Sequence, residues 1–472
     1  MSIKTIYLHA GFHKTGTSTI QNVLFAHHAD LASIGEGYFY SPTLARNHSI
    51  PLYSLFCDHP DKYHINIKNG LNSVAAVEEF NSKIRENLTQ ELQTTSCRNI
   101  IFSGEDVSKL TKENLVSLKA YFEEVIPNAR IEVLLSTREP ASYAASGYQE
   151  ATKNGFSVTM DRYIEQARDF FRLNVRKFFQ VFGKAHVHVF KFEDAREHRA
   201  GLIGDFLDRI GIEQDAQTAI VGKEETQANV SVSYEVVRLV EHINLILPLM
   251  VKGTIGVGRR RDDIAQMVGL RGDKFQLTPV QVRRMNRASL SDRQWLREKT
   301  GIDYPDAKNV NRTNDTVWST SFCDDFFDVF PNLTEELQLI TFRFLSALRE
   351  NKNVAVQPRK RLAELNRKLI QTYPQGAQGE RIVPKMKARI LNRANNSFRH
   401  FEEFIGAVDG LPSIPPAVFY RELALLCKAH NQDVAALHFM KQAKRFNPSG
   451  TFILQKIREW NSQGNKNKRK QR

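Results

Sequence analysis

Through the first two hundred residues the chain alternates between short unbroken apolar runs and longer amphipathic stretches. "IKTIYLHA" (3–10), "RNIIFSG" (98–104), "RIEVLLST" (130–137) and "HVHVFKFED" (186–194) predict strands buried on both faces. "GEGYFYS" (35–41) is shorter and reads as an edge strand. Between them a helix is expected from about Thr17. Further helical patterns cover "AAVEEFNSKIRENLTQEL" (75–92), "KENLVSLKAYFEEV" (112–125), "PASYAASGYQEATKNG" (140–155) and "MDRYIEQARDFFRLNVRKFFQVFG" (160–183). This order predicts an α/β fold of three layers, a central parallel sheet with helices on both faces. Its ligands should sit at the carboxyl ends of the strands.

After about Ala195 the strand signals stop. "SVSYEVVRLVEHINLI" (231–246) and "SDRQWLREKTG" (291–301) are helical, so the α/β domain is expected to span 1–304. A polar stretch (306–316) marks the boundary, and a helical linker region (305–358) contains the amphipathic "LTEELQLITFRFLSALRE". "NKNVAVQPRK" (351–360) reads as a second linker. The remainder, 359–472, should be all helical. Within it, residues 416–449 place small side chains at Ala424, Ala436 and Ala443 and end near Pro448. Those spacings fit one tetratricopeptide-like unit, a docking surface for a protein partner, and equally a plain helical hairpin.

Composition is ordinary for a globular chain of 472 residues, 41% hydrophobic and 25% charged, but the formal charge is +14. The tail cations Lys466, Lys468, Arg469, Lys470 and Arg472 supply only part of it, and that tail reads as a solvated, unstructured end. A basic body favours a polyanionic partner such as a nucleotide or an acidic glycan. Cys57, Cys97, Cys323 and Cys427 lie far apart, so neither a metal site nor a disulfide framework is expected. The first strand begins almost at the N-terminus, leaving no room for a signal peptide. The longest apolar run, near "LILPLMV", is too short to span a bilayer. A soluble, cytoplasmic protein is the expectation.

The chemistry concentrates where the first strand meets its helix. In "GFHKTGTST", Gly11 and Gly16 permit a tight bend, and the helix from Thr17 turns free N–H groups and its positive dipole end into that bend. Thr15, Thr17, Ser18 and Thr19 add hydroxyls and Lys14 adds a charge. An anion site follows. A Walker-A loop would need lysine directly after Gly16, where threonine stands. A second signal is "LLSTREPASYAASGY", with Arg138 leaving a strand and Ser146 eight positions on. Pro140 suits a helix's first turn, and the arginine can fork onto a phosphate.

Together these motifs resemble those of the sulfotransferases, of the bacterial and glycan-directed types, over roughly the first 300 residues. In that family the loop "HKTGTST" meets the 5′-phosphosulfate of 3′-phosphoadenosine 5′-phosphosulfate (PAPS), and arginine and serine at the second spacing bind its 3′-phosphate. The resemblance implies a P-loop-containing fold and transfer of a sulfuryl group to a hydroxyl, with adenosine 3′,5′-bisphosphate (PAP) released. It gives Lys14 to the leaving oxygen, Thr15, Gly16, Thr17, Ser18 and Thr19 to the 5′-phosphate and sulfate, and Arg138 and Ser146 to the 3′-phosphate. "NVSVSYE" near Asn229 is a further loose similarity.

A proton acceptor is also needed. Glu105, ending the strand "NIIFSG", is favoured; Asp106 is the alternative, or else an N-cap for the next helix. His48, in "ARNHSI", is a second candidate. Arg259, Arg260 and Arg261 either cover the 3′-phosphate, grip an anionic acceptor, or form a solvated face. No metal is expected, because lysine and arginine carry the neutralising charge. The acceptor is expected to be a carbohydrate hydroxyl on a glycan or glycolipid, and no nucleic acid is expected. Two rivals stand: a nucleotide-dependent kinase or NTPase, and an inactive helical-repeat adaptor.

Overall fold

A computed structural model describes residues 3–71, 73–166, 169–221, 231–251, 254–255, 259–260, 262–308, 317–373, 420–421, 424–425, 427–428, 433–446, 448 and 450–470. The chain is α/β. Its sheet has five parallel strands: β1 (Thr5–His9), β2 (Tyr38–Phe39), β3 (Asn99–Ser103), β4 (Arg130–Thr137) and β5 (Val187–Lys191), in the spatial order β2-β3-β1-β4-β5. All five expected strands are present, and "GEGYFYS" supplies only the two-residue edge strand β2.

The unbroken apolar runs divide between the two faces of the sheet. Ile6 and Leu8, Ile100 and Phe102, and Val133 and Leu135 enter one core with Leu88, Leu118, Phe122, Val175 and Leu296. Ile101 and Leu134 enter the opposite core with Ile20, Leu24, Phe206 and Leu207. Alternate residues of a strand point to opposite faces, so a strand covered on both sides must be apolar throughout.

Strand order sets the position of the site. The chain leaves β1 for β2 and β3 on one side, then crosses to β4 and β5 on the other. Succession therefore reverses at β1, with β3 in register on one flank and β4 on the other. In such sheets the crevice beyond the carboxyl end of that strand is where ligands are held.

The long pattern over 160–183 forms two helices, Met160–Gln166 and Phe170–Phe182, with Asp169 in the left-handed region (φ 57°) before the second. Strand structure also does not end at Ala195: Met250–Val251 and Thr254–Ile255 make a small antiparallel ribbon.

The chain divides into two compact units, and not at a single point. One comprises 1–148, 160–229 and 277–310; the other comprises 149–159, 230–276 and 311–472. Residues 230–276, expected in the α/β domain, group with the C-terminal helices because Tyr234–Ile246 packs there, with His242 stacked on Phe344 at 4.4 Å. In the same unit Glu235 is fully buried and accepts the backbone N–H groups of Trp318 and Asp273.

The second expected linker is shorter than read. A helix already begins at Val356, because Pro358 falls in its first turn, where a missing N–H costs nothing. Farther on, Ala424, Ala436 and Ala443 are fully buried with Phe439, Met440, Ile453 and Trp460. Most of residues 416–432, the expected first helix of the tetratricopeptide-like pair, lies outside the described residues. Helix Thr451–Lys470 continues into the basic tail that was expected to be unstructured; Ile453 and Trp460 anchor its first half. No helix among the described residues is long and apolar enough to cross a membrane.

Candidate anion-binding site

The loop between β1 and α1 (Thr17–Ala26) is shaped by two residues in left-handed conformation, Lys14 (φ 65°) and Gly16 (φ 80°). Gly16 precedes α1, and no side chain caps that helix. Gly16 takes a φ that other side chains rarely adopt, and a Cβ there would also lie 2.2 Å from Leu202 Cδ2, so glycine suits this turn. Ser18 is exposed and Thr19 half-buried at the first turn. Thr17 is buried. A loop with left-handed residues ahead of an uncapped helix leaves N–H groups at its N-terminus, the local requirement for holding an anion.

Thr15 departs from its expected role. It is fully buried, donates to the Phe12 carbonyl at 2.6 Å and accepts from Ser136 Oγ at 2.6 Å. Its hydroxyl locks the loop onto β4 and has no proton left for a ligand.

On the β4 flank, Arg138 is half-buried. Its Nη1 donates to the Lys14 carbonyl at 2.7 Å and its Nε to Ser142 Oγ at 3.0 Å. The two motifs, 124 positions apart, therefore meet. Glu139 caps the following helix, accepting from the Ala141 and Ser142 amides, and Pro140 opens it. Ser146 lies two turns along this helix and is half-buried. Burial lowers the Arg138 pKa, with nearby Arg196 acting in the same direction and Glu193 against it. The Arg138 and Arg196 guanidinium carbons lie 5.1 and 5.7 Å from the centre of the Phe192 ring. Arg196 is exposed and was not singled out from sequence, because nothing local distinguishes it from other surface arginines.

On the β3 flank, Glu105 follows Ser103 directly through Gly104. Its Oε2 accepts from Gln21 Nε2 at 2.8 Å and its Oε1 from Asn47 Nδ2 at 3.2 Å. Asn47 is present because the chain crosses the tip of β3 here. His48 N–H donates to the Ser103 carbonyl, and a Cβ at Gly104 would come within 2.6 Å of the Ser49 nitrogen. The stretch "ARNHSI" thus does reach the site, through Asn47. His48 turns inward: it is fully buried, stacked on Tyr40 at 4.0 Å and edge-on to Phe102. Burial pushes its pKa down to about 3, which the Ser41 backbone offsets a little, yet neither ring nitrogen reaches a partner at hydrogen-bonding geometry. It is a core residue, and the expectation of a catalytic role is corrected on that ground.

Asp106 does not cap the next helix; Thr111 does, in a capping box with Asn114. Instead Asp106 collects three donors: His13 Nε2 at 2.8 Å, Tyr63 hydroxyl at 2.6 Å and Lys109 ammonium at 2.6 Å. Burial opposes its ionised form, but the His13 and Lys109 contacts outweigh that and hold the carboxyl far below the usual range. His13 stands next to Lys14 in the chain, so its place in the loop was legible. Its partner 93 positions away was not. Beneath the loop, His9 bonds Ser103 Oγ at 2.8 Å, and burial lowers its pKa to about 4.

The late arginines belong to the other unit. Arg259 is buried; its guanidinium pairs with Asp263 at 2.5 Å and donates to Asn244 Oδ1 and the Leu247 carbonyl. It ties its own unit together and presents no charge to solvent, contrary to the expected phosphate role. Arg260 is exposed, and Arg261 lies outside the described residues.

No family model, curated protein or solved structure matches this chain.

Proposed function

We propose that the chain is a PAPS-dependent sulfotransferase, moving the sulfuryl group to a hydroxyl acceptor, a carbohydrate on a glycan or glycolipid, by in-line displacement. One observation carries the reading: Arg138 Nη1 sits 2.7 Å from the Lys14 carbonyl, so two motifs distant in sequence come together beside the strand where succession reverses. The fit to the nucleotide rests on this chain's own geometry. Left-handed Lys14 and Gly16 with uncapped α1 suit a 5′-phosphosulfate. Arg138, with Ser146 on the helix it precedes, suits the 3′-phosphate.

Sulfuryl transfer resembles phosphoryl transfer in depending on alignment and charge stabilisation. Lys14 would meet the negative charge growing on the leaving phosphate oxygen, while α1 N–H groups, Ser18 and Thr19 hold the phosphosulfate. Thr15 would act only through the loop's shape. A cytoplasmic setting with reduced thiols completes the reading, and the C-terminal helical unit is a candidate docking surface for a protein partner.

A kinase or NTPase is the second reading, favoured by the acidic pair Glu105 and Asp106 ending the strand beside the loop. Thermal melting separates the two. PAP at 100 times its Kd should add about 2.7 kcal/mol without magnesium, a rise of a few degrees, and ATP should add nothing. A rise with ATP and magnesium but none with PAP would overturn the proposal. An inactive adaptor would respond to neither.

A further inference from the structure

We infer that His13, held by Asp106, takes the proton of the acceptor hydroxyl. The inference rests on the sulfotransferase reading and assigns one of its steps. Asp106 has a side chain only 4% exposed and is ionised by its three donors, so it can only accept. The proton of the shared hydrogen bond must then lie on His13 Nε2, which leaves Nδ1 as the bare, basic nitrogen of the neutral ring. The His13 side chain is 38% exposed, and among the described residues Nδ1 has no hydrogen-bond partner. A buried carboxylate behind an imidazole fixes the tautomer and stabilises the imidazolium that forms. Glu105 is less suited, because both its oxygens already accept amide hydrogen bonds from Gln21 and Asn47. It orients these groups at the tip of β3.

The step balances. As the acceptor oxygen bonds to sulfur, its proton passes to His13 Nδ1. The bond from sulfur to the bridging oxygen breaks, and its electron pair stays on the 5′-phosphate of PAP beside Lys14. The charged and titratable groups around the pair are Tyr63 and His64, Lys109 on the short helix Glu105–Lys109, Glu105 itself, and Lys14 next in the chain.

Nitrogen-15 NMR of the imidazole rings tests the tautomer first, with the His13 signal assigned by its loss in His13→Gln. The expected spectrum of the neutral ring shows a protonated Nε2 and a bare Nδ1, and Asp106→Asn redistributes the proton. A protonated Nδ1 in the wild-type neutral ring overturns the inference whatever the activity. Single-turnover release of labelled sulfate from PAPS, with water as the probe acceptor, gives the second readout. His13→Gln should slow it by ~10²-fold or more and remove the rise of rate with pH, while PAP affinity by calorimetry stays within about threefold. Unchanged rate and pH profile in a variant that binds PAP overturn the role of His13 alone. Failure of the wild type to bind PAP overturns the sulfotransferase reading instead.

Discussion

The two flanks of the β1 loop differ in chemistry. The β4 flank carries Arg138 bonded into the loop and Arg196 sharing the Phe192 ring, with Glu139 and Glu193 beside them. The β3 flank is built around carboxylates, with Glu105 held by two amides and Asp106 by His13, Tyr63 and Lys109. Cations positioned around a crevice grip phosphates, whereas ionised carboxylates beside an imidazole orient hydroxyls and move protons. On the proposed reading the nucleotide would bind along the first flank and the acceptor along the second, with Lys14 between them.

Substitutions can break this division. The largest effect is expected at the centre. Lys14→Ala should reduce transfer by ~10²–10³-fold, the usual loss when one stabilising donor is removed, with melting temperature unchanged. Arg138→Ala should act mainly on binding and weaken PAP by ~10–100-fold, corresponding to about 1.5–3 kcal/mol for a charged hydrogen bond. Calorimetry and labelled transfer read both. A variant pair in which Lys14→Ala loses only affinity and Arg138→Ala only rate would invert the assignment.

A smaller effect concerns acid stability on the β3 flank. The Asp106 carboxyl is depressed in the folded protein relative to its unfolded value of ~3.9. Its contribution is therefore complete above that value and is lost as pH falls below it toward the folded pKa. Urea midpoints should fall between about pH 4 and pH 2 in the wild type, and fall less in Asp106→Asn, which already lacks about 1–3 kcal/mol at neutral pH. Equal pH dependence in the two proteins would show that the Asp106 network stabilises nothing.

The smallest change is expected at His48. Its ring is sandwiched in the core with both nitrogens unpartnered, so His48→Phe removes a desolvation cost and keeps the stacking on Tyr40. Stability should shift by no more than about 1 kcal/mol and transfer should be unaffected. A strong loss of transfer without unfolding would return His48 to the site and spoil the contrast between the flanks.

His48 and Asn47 show where reading the sequence stopped. The sequence singled out His48 in "ARNHSI", but which residue of that stretch faces the tip of β3 depended on the tertiary structure. That orientation follows from the Ser103 carbonyl accepting the His48 amide and from the close approach at Gly104. Arg259 failed for the same reason, since a run of arginines does not reveal that one of them is satisfied inside the fold. Thr15 was given to the phosphosulfate by the resemblance of its loop; here its hydroxyl is taken up by the Phe12 carbonyl and by Ser136, on another strand.

What the sequence determined by itself was local: which runs become strands, where α1 begins, and that Gly16 permits a tight bend ahead of it. These follow from side-chain period and backbone sterics within a few residues. Only the tertiary structure decided which distant groups share a site, namely Arg138 with the Lys14 carbonyl and Asp106 with His13. Those pairings depend on strand order, and strand order is set by how two separate cores bury the sheet's faces, a balance spread over the whole unit and written in no single motif.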